Sequence, residues 1–166
     1  MSFPKCFIKA TNEFNTPEKF VAAPYFRKVF TVDETAEAQI KIGSCGFYKL
    51  FINGENVTKG ALAPYISNPD DMVYFDQYTI KLNKGENVIG VMLGNGFTNC
   101  SAGWVWDFDK ALFRSAPSFA LELVCGDTVV ESDTSFKTAP SPITFDDYRY
   151  GEHYDANLEF DDWNRL

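Results

Sequence analysis

Glu152 and Asp155 stand in Gly151-Glu152-His153-Tyr154-Asp155-Ala156, two carboxyls flanking the sole histidine of the chain, and these are residue types that perform general acid–base chemistry. Inverting glycosidases use two carboxyls roughly 6.5–9.5 Å apart. Such a pair also needs a pocket that raises one pKa. With His153 as the one histidine, neither a zinc site nor a Ser-His-Asp triad is expected.

A second group of candidates is aromatic. Gly103-Trp104-Val105-Trp106-Asp107-Phe108-Asp109 follows the glycine-rich turn at 94–96, with Asn95 and Asn99 close by. Sugars present C–H faces that stack on aromatic rings and hydroxyls that bond carboxylates and amides, so Asn95, Asn99, Trp104, Trp106 and Asp107 are candidate sugar contacts. The competing reading places one of the two alternating tryptophans in a core and the other against a neighbouring domain. Tyr65, in Leu62-Ala63-Pro64-Tyr65-Ile66, is a candidate for the rim of a groove, although Leu62 and Ile66 also suit a loop anchor. Asp70 with Asp71, or Asp107 with Asp109, could join backbone carbonyls around calcium. No DxDxDG loop supports this, so no metal or cofactor is expected, and calcium is the one ion left open.

The elements that must position these residues are strands. Period-two alternation runs through Phe26–Val32 and Ala38–Ile42, and further strands are predicted at Phe47–Asn53, Met72–Ile80, Asn87–Leu93, Ser118–Val124 and Thr128–Ser132. Gly, Pro, Asn and Asp clusters separate them. Asn53-Gly54, between Leu50-Phe51-Ile52 and Val57, is a type I′ hairpin signal, because both residues accept positive φ. No amphipathic helix of useful length is visible. Many short strands predict an all-β antiparallel jelly-roll β-sandwich of the galactose-binding-like kind. Residues 1–24 read as a lead-in segment, and 25–166 as a single sandwich domain with an irregular C-terminal tail. That tail, Phe160-Asp161-Asp162-Trp163-Asn164-Arg165-Leu166, carries large apolar groups with no evident cover.

Composition removes several functions. With 166 residues, 45% of them hydrophobic and 16% aromatic, the chain can fill one core. A net charge of -8 argues against a phosphate backbone as partner, so no nucleic acid is expected. No apolar run is long enough for a membrane span or forms a signal-peptide core, which predicts a soluble, unexported, cytoplasmic chain with no membrane partner. Cys6, Cys45, Cys100 and Cys125 form no CxxC pair and read as reduced, mostly buried thiols.

Several stretches together resemble the N-terminal sandwich domain of bacterial alpha-L-rhamnosidases. They are Tyr25-Phe26-Arg27-Lys28, Leu50–Val57, Leu62-Ala63-Pro64, Tyr74-Phe75-Asp76-Gln77-Tyr78, Gly85–Phe97 and Gly151–Ala156. Two positions depart from the pattern: Phe97 where the family commonly has Trp, and Asn157 where it has Arg. The resemblance implies that hydrolysis of terminal rhamnose belongs to a separate helical-barrel domain, and that this chain is a non-catalytic, carbohydrate-recognition-like accessory domain or a purely structural spacer. Its implied partners are a rhamnose-containing carbohydrate and the catalytic domain of the same enzyme. Glu152, Asp155 and Trp163 then become candidates for contacts between domains.

Overall fold

The computed structural model describes residues 6–100 and 110–166. Among the described residues, twelve strands run in order: β1 (Ile8–Lys9), β2 (Pro24–Val32), β3 (Ala36–Cys45), β4 (Phe47–Ile52), β5 (Glu55–Asn56), β6 (Phe75–Leu82), β7 (Gly85–Gly94), β8 (Ser118–Cys125), β9 (Thr128–Glu131), β10 (Lys137–Pro140), β11 (Ile143–Asp147) and β12 (Gly151–Tyr154). One sheet has the order β1-β8-β3-β6, with β9 also paired to β8; the other has the order β10-β2-β7-β4-β5. β11 and β12 form a separate hairpin. All pairings are antiparallel, giving the all-β sandwich that the alternating sequence predicts.

Alternation decides which side chains meet between the sheets. Ile40 and Ile42 of β3, Leu121 and Leu123 of β8, and Leu82 of β6 face Phe26 of β2, Leu50 of β4 and Ile89, Val91 and Leu93 of β7 in one apolar cluster. Burying each such side chain contributes about 1.5–3 kcal/mol, and this layer is what holds the two sheets together. Tyr48 enters the same layer, and its hydroxyl donates to Asp76 Oδ2 at 2.5 Å and shares a 2.8 Å bond with Tyr78. Burial first, and then the bond to Asp76, push the Tyr48 phenol far above its ordinary pKa.

Local details bear out the hairpin and move one strand. Asn53 and Gly54 take φ of 52° and 86°, as a type I′ turn requires. The strand expected from Met72 starts at Phe75, because Asn68 O accepts the N–H groups of Asp71 and Met72 and closes a turn there. The lead-in is stitched to the sandwich: β1 pairs with β8, and Asn15 and Val21 are buried. Of the four thiols, Cys100 and Cys125 are buried, Cys45 is half-buried and Cys6 is exposed. Among the described residues, no helix is long and apolar enough to cross a membrane.

Candidate binding face

Of the candidate residues, Glu152 and Trp163 meet at the outer face of the second sheet. In β7, Ile89, Val91 and Leu93 point into the core, so Val88, Gly90 and Met92 point outward between Tyr25 of β2 and Phe51 of β4. Glycine at the centre of this strand makes room. A Cβ at Gly90 would lie 2.9 Å from the Trp163 ring and 2.8 Å from Asn164 Cβ. Trp163 stacks on Tyr25 with centroids 3.9 Å apart and meets Phe51 edge-on at 5.4 Å. Trp163 therefore has a cover, while Phe160 and Leu166 stay exposed: the tail folds back on the sheet, held by the Arg27 guanidinium donating to Arg165 O at 2.7 Å.

Beside the tail, the β11–β12 hairpin stands over the same face. A groove of about 340 Å³ opens between this hairpin, the sheet and the Leu62 loop, with Tyr25, Lys49, Leu62, Met92, Glu152 and Tyr154 in its lining. Its floor is electrostatically tense. Asp146 and Glu152 are direct cross-strand partners, an unfavourable like-charge placement. Burial, and to a smaller extent Glu152 and Asp147, push the Asp146 carboxyl up to about 6 in spite of bonds from Asn95 that act the other way.

Asn95 and Asn99, expected as sugar contacts, lie elsewhere. Both are at 0% exposure, so neither meets a ligand in this form. The Asn95 backbone N–H donates to Asp146 Oδ2 at 2.8 Å, and its side-chain amide donates to Asp146 Oδ1 and Val21 O. Asn99 donates to Asn95 Oδ1, and Asn15 donates to both the side chain and the backbone oxygen of Asn99. The amides form an internal clasp that ties the lead-in, the turn after β7 and the β11–β12 hairpin together. Asn15 is the member that sequence reasoning missed, since its partner is 84 residues away.

Of the other candidates, Trp104, Trp106 and Asp107 lie outside the described residues, as does Asp109. Tyr65 is 83% exposed on its loop, with Tyr74 edge-on at 6.2 Å. Glu152 is exposed at the groove, whereas Asp155 accepts the Asn157 N–H and caps the 3₁₀ turn at Ala156–Leu158. Asn157, where an arginine was expected, also donates its side-chain amide to Asp155 at 2.8 Å. Phe97, standing for Trp, packs on Tyr148 at 4.2 Å. The Asp155 carboxylate is thus engaged by its own cap. In the turn before β6 the Asp71 carboxylate accepts from the Asn68 side-chain amide, and the Asp70 backbone N–H donates to Asn68 Oδ1. Among the described residues, no three His, Cys, Asp or Glu side chains are grouped to hold a metal ion.

The family model for the alpha-L-rhamnosidase N-terminal domain matches residues 33–166. The chain belongs to this family. An alpha-L-rhamnosidase of Formosa agariphila is 37% identical to this rhamnosidase N-terminal domain over a 152-residue alignment that covers 86% of the chain and 16% of that protein. Among solved structures, the alpha-L-rhamnosidase from Dictyoglumus thermophilum superposes with a TM-score of 0.78 at 27% identity, over 97% of this chain and 19% of that one. The Aspergillus terreus enzyme gives 0.80 at 25% identity, over 93% and 18%. The N-terminal domain thus spans about a sixth of the length of the curated relatives it matches.

Proposed function

We propose that this chain is a non-catalytic accessory domain of an alpha-L-rhamnosidase, a glycoside hydrolase acting on terminal rhamnose, and that it recognises carbohydrate through the outer face of its second sheet. The observation that carries the reading is the groove of about 340 Å³ in which the Tyr154 ring, Lys49 and Glu152 stand together. An aromatic face beside a carboxylate and an ammonium suits the alternating C–H and hydroxyl surface of a sugar. Engagement of the Asp155 carboxylate with the Asn157 backbone and side-chain amides supports a non-catalytic role. Titration of the chain with a rhamnose-containing oligosaccharide, followed by amide NMR, should shift resonances of Lys49, Glu152 and Tyr154, with no phenol released from an aryl rhamnoside. Silent resonances, or turnover that vanishes in Glu152→Gln, would overturn the proposal.

A second reading is favoured by the exposed apolar side chains Leu62, Ile66, Met72 and Phe160. Exposed apolar groups in numbers mark contact surfaces. In this reading the domain is a spacer that packs on the catalytic barrel of the same enzyme and binds no sugar. The same titration separates the two, because a spacer leaves every resonance in place.

A further inference from the structure

A second groove, of about 440 Å³, lies on the other side of the docked tail, between the tail and the β2–β10 edge. Arg27 and Lys137 line it and are direct cross-strand partners in the β2–β10 pairing. Like charges directly opposite one another destabilise a sheet. Among the described residues, neither forms an ion pair that would offset this. A lysine on an edge strand can serve to block edge-to-edge association, but that accounts for the charge and not for its position opposite an arginine. The third cation of the groove, Arg165, is paired with Asp162 at 3.3 Å, so the two unpaired cations set the local sign in a chain whose net charge is -8.

Thr138 and Asp162, the latter paired with Arg165, also line the groove, and the rest of its walls are apolar. Trp163, Phe160 and Leu166 line the groove beside the cations, and the latter two are largely exposed. Arg27 spends one N–H on Arg165 O at 2.7 Å, which fixes the guanidinium across the groove and leaves further donors of its fork. A planar cation and an ammonium beside aromatic walls match a ligand with a carboxylate at one end and a C–H face along its body.

We infer that this groove binds a carboxylate-bearing sugar, a uronate residue, with Arg27 and Lys137 on the carboxylate and the tail aromatics against the ring. The inference rests on the carbohydrate-recognition reading and assigns it a second, charge-selective subsite. Isothermal titration of the chain with methyl glucuronoside, methyl glucoside, acetate and a short acidic peptide tests it. The glucuronoside should bind at least about tenfold more tightly than the glucoside or acetate, and more weakly as salt rises. Lys137→Gln should weaken it by about tenfold without lowering Tm, since it relieves the opposed charges, whereas Lys9→Gln on β1 should change nothing. Arg27→Gln is the less clean variant, because it also releases the tail.

Glucoside bound as tightly as glucuronoside, or affinity untouched by Lys137→Gln, would overturn the inference. Acetate matching the glucuronoside would reduce the site to an anion site, and binding of the peptide alone would make it a protein contact; either result also overturns it. If the glucuronoside fails while the rhamnose-containing oligosaccharide still shifts Lys49, Glu152 and Tyr154, only this subsite falls. If both fail, the carbohydrate reading falls with it.

Discussion

Asp146 shows how one carboxyl can link the groove to the stability of the whole fold. Its folded pKa of about 6 lies above the ordinary 3.8, so the protonated form is the one that folding favours. The associated stability is fully present below about pH 3.8 and is lost as pH rises through about 6. Asp146→Asn removes this titration. Wild type should therefore lose stability relative to the variant between pH 4 and pH 7, by on the order of 2 kcal/mol, in urea unfolding at several pH values. A difference that stays flat across this window would show that the carboxyl is not held up by burial. The asparagines around it mark the limit of sequence reading at this scale. Asn95 and Asn99 follow a strand in a polar, glycine-rich stretch and so look like exposed loop, yet their partners are Asn15, Val21 and Asp146, all far away in sequence. Burial set by distant partners leaves no local signature.

Elements were more legible, because strands write their burial into a period of two. The alternation in β2 and β3 names their core faces correctly, and Asn53-Gly54 specifies its own turn. Gly54→Val should cost roughly 1–3 kcal/mol, since a β-branched residue is strained at φ 86° and its Cβ would lie 2.4 Å from Arg165 Nε. An unchanged melting temperature would contradict this. Gly90 was a signal of another kind: glycine inside a strand often marks close approach of another group, but the sequence does not say which group. Here it is Trp163. Gly90→Ala should displace the tail at a cost of about 1–3 kcal/mol and hasten proteolytic cleavage after residue 158, whereas Gly126→Ala, with no neighbour near its Cβ, should leave the tail protected. Equal cleavage rates in the Gly90 variant and the parent would mean that the tail is not seated in this socket.

Across the whole molecule, the sandwich is closed by its two ends rather than by its strands alone. Residues before β2, the lead-in segment, supply Asn15 and Val21 to the clasp, and residues after β12 supply Trp163 to the outer face of the second sheet. Fold class was readable from pattern and the family from an ordered set of short stretches, but the closure was not, since both ends lack periodicity of their own. Asn15→Ala should cost about 1–3 kcal/mol through the buried partners it leaves on Asn99 and Val21, and denaturation should remain a single transition. An early separate transition in the variant would show that the lead-in is an appendage and not part of the cooperative unit.

The seat of Trp163 on Gly90 also bears on the order of events at the ribosome. Tyr25, Phe51 and Gly90 are all synthesised well before Trp163, so the growing chain presents an uncovered apolar strip on its second sheet while the remaining strands are being made. The strip is covered only after β12 has emerged, and until then it is open to chaperones and to other nascent chains.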